Sequence, residues 1–288
     1  MTTQRTAPGG TLRLGDRTVS RLGYGAMQLA GPGVMGPPRD PDAARTVLRR
    51  VVEAGVTHID TSDFYGPHLT NQLIREVLHP YPDDLTIVTK VGARRSEKGD
   101  WLPAGRPEQL VAGVEDNLRH LGVETLDVVN LRVMPPIAAE PKLTAAVGAL
   151  AELQQQGKIR HLGVSEVTPE QLGWARGVAS IVCVQNEYNL AKREDDPLID
   201  HLEAEGLVYV PYFPLGGFTP LQSQVLDAVA SRRGVSAQRV ALAWLLQRSP
   251  AIAVIPGTSS PEHLADNLAA ADLVLDEQDL LDLEGIAG

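Results

Sequence analysis

The chain is poor in the features that mark secreted or membrane proteins. Cys183 is its one cysteine in 288 residues, so no disulfide can form within the chain and we expect a cytoplasmic protein. Residues 1–10 are polar, with proline and glycine, which predicts a flexible tail without the apolar core of a signal peptide. No apolar run approaches the roughly 20 residues that a membrane span needs. We therefore expect no membrane contact.

Basic charge is also scarce. The chain has 26 lysines and arginines against 36 acidic residues, a formal net charge of -10. Because a nucleic-acid-binding protein needs a basic face for the phosphates, this balance argues against such a partner. It is compatible with a small basic pocket for an anionic cofactor, since net charge says little about one site.

Strand-like and helix-like segments alternate along most of the chain. Apolar strand-like runs occur at 22–26, 56–60, 85–90, 126–132, 159–165, 181–186, 207–212 and 252–255. Helix-like segments follow them at 43–54, 69–78, 107–121, 140–156, 168–177, 196–205, 221–248 (in two pieces) and 261–270. Strands without strict alternation are typical of a parallel sheet buried on both faces. Eight strand-then-helix units predict an α/β protein with a closed (β/α)8 TIM barrel.

Two further elements and one alternative complete the predicted architecture. Residues 11–14 and 18–22 predict an N-terminal β-hairpin, and 277–283 predicts an extra C-terminal helix. We see no linker and expect one domain over 1–288. The alternative, an open dinucleotide-binding sheet, requires a third glycine after the pair at 23–25, and the chain lacks it.

Reactive side chains recur where the predicted strands end. Asp60 ends the second strand, Tyr65 follows in a turn closed by Gly66, and Lys90 ends the third strand. Because the active sites of such barrels lie at the carboxyl ends of the strands, we expect these side chains to converge. An ammonium lowers the pKa of a neighbouring phenol, and a carboxylate keeps the ammonium charged. The pattern predicts a phenol that donates a proton near neutral pH.

Several motifs together resemble the aldo-keto reductase family, from about residue 11 to the end. They lie at 23–27, 60–65, 89–90, 163–165, 185–189 and 255–257, followed by Asn267. Within the family the chain is most similar to the bacterial pyridoxal reductases, in the segments 25–33, 58–67, 130–134 and 214–222.

The resemblance implies an enzyme that reduces an aldehyde or ketone with NADPH, with pyridoxal as the leading small-molecule substrate and pyridoxine as the product. Tyr65 would protonate the developing alkoxide, and Lys90, paired with Asp60, would tune it. A larger set matches positions that contact the cofactor in the family. It comprises Gly25, Met27, Ser165, Gln185, Tyr212, Pro214, Leu215, Gly217, Gly257, Thr258, Ser259, His263 and Asn267.

Three positions depart from the family pattern. Arg132 stands where the family usually has a catalytic histidine, and Glu166 replaces the usual asparagine after Ser165. Gly257 and His263 stand where cations often bind the 2′-phosphate, so NADH is the alternative cofactor. Ser259, Ser260 and the backbone N–H groups that start the helix at 261–270 could still hold a phosphate. We hypothesise that Arg132 grips the aldehyde and phenolic oxygens of pyridoxal with its forked donors. The alternative is a structural arginine paired with a carboxylate such as Glu187.

Three other interpretations remain at this point. A metal-dependent hydrolase barrel would use His58, Asp60, Asp63 and His68, but the later strand ends offer no second histidine, so we expect no metal. A nicotinamide-nucleotide sensor would keep the pocket without turnover. A reductase for another aldehyde, ketone or sugar keeps the fold and the reaction, since neither chooses the substrate. The loops that would choose it are predicted around 29–38, 92–106 and 213–220, with Trp101 as a candidate wall residue. The oligomeric state cannot be predicted from one sequence.

Overall fold

A parallel sheet curled into a barrel forms the centre of the protein. The computed structural model describes residues 7–217 and 221–286. The parallel strands are neighbours in the order β3 (Tyr24–Gly25), β4 (His58–Asp60), β5 (Thr86–Arg95), β7 (Leu126–Arg132), β8 (Ile159–Ser165), β9 (Ile181–Gln185) and β10 (Val208–Tyr209). Single parallel bridges from Ile252 to Tyr209 and from Val254 to Leu22 close the ring. The predicted eight-stranded barrel is confirmed.

Helices surround this ring. They are α1 (Pro41–Glu53), α2 (Leu69–Leu78), α3 (Pro107–Leu121), α4 (Glu140–Gln155), α5 (Pro169–Arg176), α6 (Asp196–Ala204), α7 (Gln224–Arg233), α8 (Ala237–Arg248), α9 (Pro261–Leu268) and the extra α10 (Glu277–Glu284). Short 3-10 turns occupy Ala26–Leu29, Pro32–Val34 and Ala269–Asp272. Among the described residues, no helix is long and apolar enough to cross a bilayer.

Local signals in the sequence explain where the helices begin and end. The carboxylate of Asp40 accepts hydrogen bonds from the backbone N–H groups of Asp42 and Ala43, at 3.1 and 2.9 Å, and so caps α1. Gly122 ends α3 in the left-handed conformation, with φ of 70°, where a side chain would be strained. The capping residues thus mark the start of α1 and the end of α3.

The interior of the barrel is filled at one end. Leu14 of β1 (Thr11–Leu14) and Val19 of β2 (Arg17–Ser20) are fully buried against inward-facing residues such as Val88 and Val128. Cys183 belongs to this cluster, and burial raises the pKa of its thiol to about 12, as expected of a core cysteine rather than a nucleophile. The hairpin covers the amino ends of the strands, and the pocket opens at their carboxyl ends.

The strand boundaries differ from the prediction in one functional region. β5 does not stop at Lys90 but continues to Arg95 and pairs antiparallel with β6 (Trp101–Ala104), with Arg95 opposite Trp101. The segment 92–106, predicted as a loop, is thus largely a hairpin. The predicted strand at 252–255 makes only the two closing bridges.

The ends of the chain and one loop fall partly outside the described residues. Of the predicted tail, 1–6 lie outside, whereas the turn at 7–10 is bonded to the barrel: the N–H of Leu22 donates to the carbonyl of Pro8 at 3.1 Å. Residues 218–220 of the predicted substrate loop 213–220 also lie outside. The one-domain organisation stays a prediction.

Candidate active site

A pocket of about 550 Å³ opens at the carboxyl ends of the strands. Its walls combine charged groups at the bottom with apolar and aromatic side chains above them. The lining residues are Gly25, Met27, Gln28, Asp60, Phe64, Tyr65, Lys90, Ala93, Trp101, Arg132, Met134, Gln185, Tyr212, Phe213, Pro214, Leu215, Gly217, Gln238, Ile255, Pro256 and Gly257. The four predicted catalytic residues, Asp60, Tyr65, Lys90 and Arg132, are all among them.

A buried ion pair lies at the bottom of the pocket. Nζ of Lys90 donates to Oδ1 of Asp60 at 2.5 Å and to the carbonyl of Thr61 at 3.0 Å. Nε2 of Gln185 donates to the other oxygen of Asp60 at 2.8 Å, so both carboxylate oxygens are engaged. Burial alone would lower the pKa of Lys90, but the charges of Asp60 and Tyr65 outweigh burial and raise this pKa. The ammonium therefore stays protonated in the pocket.

Tyr65 lies beside this ion pair on the turn after β4. Nζ of Lys90 is 5.3 Å from the centroid of its ring. We predicted that Lys90 lowers the pKa of Tyr65, and its charge and hydrogen bond do act in that direction. Burial has the larger effect, and the net pKa of Tyr65 is raised above its ordinary value of 10.0. The predicted net direction was wrong because desolvation of the phenolate outweighs the ammonium, and the phenol is protonated at neutral pH.

Arg132 extends into the pocket from the end of β7. Its Nη1 donates to Oγ of Ser165 at 3.3 Å and lies 3.8 Å from Oε1 of Glu166, and its guanidinium carbon is 5.0 Å from the centroid of the Tyr212 ring. The hydroxyl of Tyr212 also donates to Glu166. Glu187, the partner suggested for a structural Arg132, binds Lys192 instead, at 2.8 Å. Arg132 thus presents a cation to the pocket, with Glu166 as a long ion-pair partner.

Comparison with known proteins assigns the chain to a family. Residues 21–287 match the family model described as the aldo/keto reductase family. The chain belongs to the aldo/keto reductase family. It is 61% identical over 280 residues to the pyridoxine 4-dehydrogenase of Escherichia coli (strain K12), covering 96% of this chain and 98% of that protein. An uncharacterized oxidoreductase of Schizosaccharomyces pombe is 37% identical, covering 93% and 87%.

A solved structure agrees with the fold of this aldo/keto reductase. The aldo-keto reductase from Klebsiella pneumoniae in complex with NADPH matches with a TM-score of 0.80 and 25% identity, covering 96% of this chain and 94% of that one. The family and its relatives establish that the protein is an oxidoreductase, so the sensor without turnover is set aside.

The predicted cofactor residues fall into two groups in this aldo/keto reductase. Most line the pocket: Gly25, Met27, Gln185, Tyr212, Pro214, Leu215, Gly217 and Gly257. Ser165 lies next to them, bonded to Arg132. Gly25 and Gly257 are explained by close packing, since a Cβ on Gly257 would lie 2.6 Å from the carbonyl oxygen of Gly25. Oε1 of Gln185 is buried and has no hydrogen-bond partner among the described residues, so it fits the amide N–H of a nicotinamide carboxamide.

The second group lies before and along α9, outside the pocket. Ser259 and His263 are exposed, Asn267 is buried, and the hydroxyl of Thr258 accepts from the N–H of Ser260 at 3.0 Å. Thr258, Ser259 and His263 lie around the start of α9 and Asn267 lies in its last turn, and none of the four lines the pocket with the catalytic residues.

The backbone N–H groups of α9, considered at first as a phosphate site, are partly occupied. Oγ of Ser260 accepts from the N–H of His263 at 3.2 Å and donates to the carboxylate of Glu262 at 2.8 Å. That hydrogen bond lowers the pKa of Glu262, and the charge of Arg50 contributes in the same direction. Arg50, which the sequence gave no reason to suspect, thus supplies a cation near this helix end.

The structure places the predicted wall residue Trp101 in the pocket and adds others that sequence reasoning missed. Trp101 contacts Phe64 edge-on with ring centroids 5.5 Å apart, and the guanidinium carbon of Arg95 lies 3.9 Å from the centroid of the Trp101 ring. Phe64, Met134, Phe213 and Gln238 complete the wall. Only the pairing of β5 with β6 brings Arg95 to Trp101, and no spacing rule in the sequence indicates that contact.

The candidate metal ligands do not converge on the pocket. His58 is fully buried inside the barrel, and burial lowers its pKa to about 4. Asp60 is bound by Lys90. The carboxylate of Asp63 bonds instead to His68 and His120, at 2.6 and 2.8 Å. His58 lies in the barrel interior, Asp60 in the pocket, and Asp63 and His68 in a separate cluster. The four residues therefore do not form the site that the hydrolase alternative requires.

Proposed function

We propose that this aldo/keto reductase reduces pyridoxal to pyridoxine with NADPH. The observation that carries the proposal is the buried pair of Lys90 and Asp60 beside the phenol of Tyr65 in a pocket that also holds Arg132. The name of the Escherichia coli relative, pyridoxine 4-dehydrogenase, supports the substrate, since it describes the reverse of this reduction.

The residues at the bottom of the pocket supply the proton. NADPH, when bound, supplies the hydride to the carbonyl carbon. Tyr65 donates the proton of its hydroxyl to the carbonyl oxygen as negative charge develops there. Lys90 stabilises the phenolate that remains, and Asp60 keeps Lys90 charged and fixed. Because burial holds Tyr65 protonated, the acid is in its active form at neutral pH.

The cofactor proposal rests on residues at two places. Gln185 would accept from the nicotinamide carboxamide through its buried, unpartnered Oε1, with Ser165 as a second contact and Tyr212 as the stacking ring. Ser259, His263 and Asn267 would contact the adenosine end. NADPH is proposed over NADH because a family member from Klebsiella pneumoniae was solved in complex with NADPH.

Arg132 would determine the substrate specificity. Its side chain is partly exposed in the pocket, 29%, and a guanidinium offers parallel N–H donors to two acceptors. Pyridoxal carries its phenolic oxygen next to its aldehyde oxygen, a pair spaced for those donors. We infer that Arg132 holds both oxygens and orients the carbonyl toward Tyr65.

Oxidation of NADPH and of NADH over a panel of carbonyl compounds tests the proposal. The panel includes pyridoxal, simple aldehydes, ketones and a sugar. We expect the highest kcat/KM for pyridoxal with NADPH, and pyridoxine as the product. Strong reduction of another carbonyl without reduction of pyridoxal would refute the substrate, and a preference for NADH would refute the choice of NADPH.

A further inference from the structure

Four buried polar side chains lie behind the strand ends that carry Asp60 and Lys90. We call Thr61, Asn71, Thr89 and Asn117 the asparagine bridge. The hydroxyl of Thr61 donates to Oδ1 of Asn71 at 2.8 Å, and Nδ2 of Asn71 donates to Oδ1 of Asn117 at 2.9 Å. The hydroxyl of Thr89 donates to the same oxygen of Asn117 at 2.5 Å. A continuous chain of hydrogen bonds thus joins β5, α3 and α2 to the end of β4.

All four side chains of the asparagine bridge are buried and hydrogen-bonded. Its members are at most 1% exposed. Nδ2 of Asn117 donates to the carbonyl of Gly113 at 2.8 Å, and Nδ2 of Asn71 also donates to Oδ1 of Asp63 at 3.2 Å. Because an unpaired buried polar group costs about 1–3 kcal/mol, the bridge resists displacement of any one member.

Two residues of the asparagine bridge are sequence neighbours of the ion pair. Thr61 directly follows Asp60, and Thr89 directly precedes Lys90. Successive side chains of a strand point to opposite faces, so the threonines anchor the outer side of the strands that present Lys90 and Asp60 inward. Lys90 also donates to the carbonyl of Thr61, so Thr61 contacts the ion pair through its backbone and the asparagine bridge through its side chain.

We propose that Asn117, through the asparagine bridge, is a positioning residue for Lys90 and Asp60. It touches neither substrate nor cofactor, and it fixes the separation of the two strand ends by accepting from Thr89 and Asn71 at one oxygen. The inference rests on the roles proposed above for Tyr65, Lys90 and Asp60, and not on the identity of the carbonyl substrate.

Loosening the bridge should reduce turnover more than binding. Thr89→Val and Asn117→Leu keep the side-chain volume nearly constant and remove the hydrogen bonds. Since misplacement by about 1 Å can cost about a hundredfold in rate, we expect kcat to fall about ten- to a hundredfold, with an unchanged KM for NADPH. A displaced Lys90 lowers the pKa of Tyr65 less, so the rise of alcohol oxidation with pH should move to higher pH.

The experiment compares these two variants with two controls. Thr89→Ser keeps the hydroxyl and should recover most of the lost rate. Ser249→Ala removes a buried hydrogen bond to Glu203 elsewhere in the fold and should lower thermal stability without moving the pH profile. Each protein is assayed with pyridoxal and with pyridine-4-carbaldehyde, and the NMR signal of the Lys90 ammonium is recorded without substrate.

The outcomes separate this inference from the proposed function. A shifted Lys90 signal and a shifted pH profile in Thr89→Val, both recovered in Thr89→Ser, support the positioning role. An unchanged Lys90 signal in Thr89→Val and Asn117→Leu, or equal loss in Thr89→Ser and Thr89→Val, overturns it. If the wild type reduces only pyridine-4-carbaldehyde, the pyridoxal proposal fails and the positioning role is decided by the same comparison. If it reduces neither, the NMR signal alone decides.

Discussion

Replacing Arg132 by histidine should weaken the reaction of pyridoxal far more than that of an aldehyde without the phenol. Arg132 is partly exposed and already bonded to Ser165 at 3.3 Å, so part of each new contact replaces an existing one. Hydrogen bonds to a charged group are worth about 1.5–3 kcal/mol each. Two contacts of about 1.5–2 kcal/mol each, less about 1.5 kcal/mol for the bond to Ser165, leave about 1.5–2.5 kcal/mol, or roughly a 10- to 70-fold loss in kcat/KM on pyridoxal.

The matched substrate is pyridine-4-carbaldehyde, which keeps the aldehyde and lacks the phenolic oxygen. One contact is then lost, and after the same subtraction for the bond to Ser165 we expect at most about a two- to threefold decrease. Arg132→Lys keeps the charge but not the paired donors, so its loss on pyridoxal should be intermediate. Steady-state kinetics with both aldehydes gives the comparison, and thermal unfolding checks that the variants fold. Equal losses of Arg132→His on the two substrates would refute the paired grip.

Three further predictions concern the acid, its pH dependence and the stability of the fold. Tyr65→Phe should lower kcat by about 10²- to 10⁴-fold while NADPH still quenches protein fluorescence, and a rate near that of the wild type would contradict the role of Tyr65. Because burial raises the pKa of Tyr65, reduction should be insensitive to its ionisation up to about pH 9, whereas alcohol oxidation, which needs the phenolate, should rise with pH; parallel profiles would contradict this. Asp279 is fully buried, and burial alone would raise the pKa of its carboxyl group. Hydrogen bonds from Arg232 and Arg233 outweigh burial and lower this pKa. The ionised carboxylate therefore stabilises the fold above pH 3.8, and this stabilisation is lost as the pH falls below that value. Asp279→Asn should lower the free energy of unfolding in urea by about 1.5–3 kcal/mol near neutral pH and flatten its acid dependence, and an unchanged acid dependence would contradict the assignment.

The barrel could be predicted from the sequence because its signals are local and repeated. Each buried strand and each capped helix carries its own pattern, and eight repetitions leave few architectures open. The extension of β5 to Arg95 was missed because its last residues are polar. Their pairing with β6 is accompanied by the contact of Arg95 with the Trp101 ring, and a contact between two separate segments leaves no local pattern in the sequence.

Part of the candidate site could be predicted from the sequence, and part could not. Asp60, Tyr65 and Lys90 could be placed together because a parallel barrel brings strand ends to one rim, and the structure does so. The net pKa of Tyr65 could not be predicted, since it depends on how deeply the phenol is buried. Arg50 and the asparagine bridge also lay beyond sequence reasoning, because their members act through partners on other helices.

The central claim is a hydride transfer from NADPH to the aldehyde carbon of pyridoxal. The most direct measurement incubates the purified protein with pyridoxal and NADPH that carries two deuterium atoms at C4 of the nicotinamide, and analyses the product by mass spectrometry and NMR. We predict pyridoxine with one deuterium on the newly formed hydroxymethyl carbon, in an amount equal to the NADPH consumed. Pyridoxine without deuterium, or no pyridoxine while another carbonyl compound is reduced, would contradict the claim.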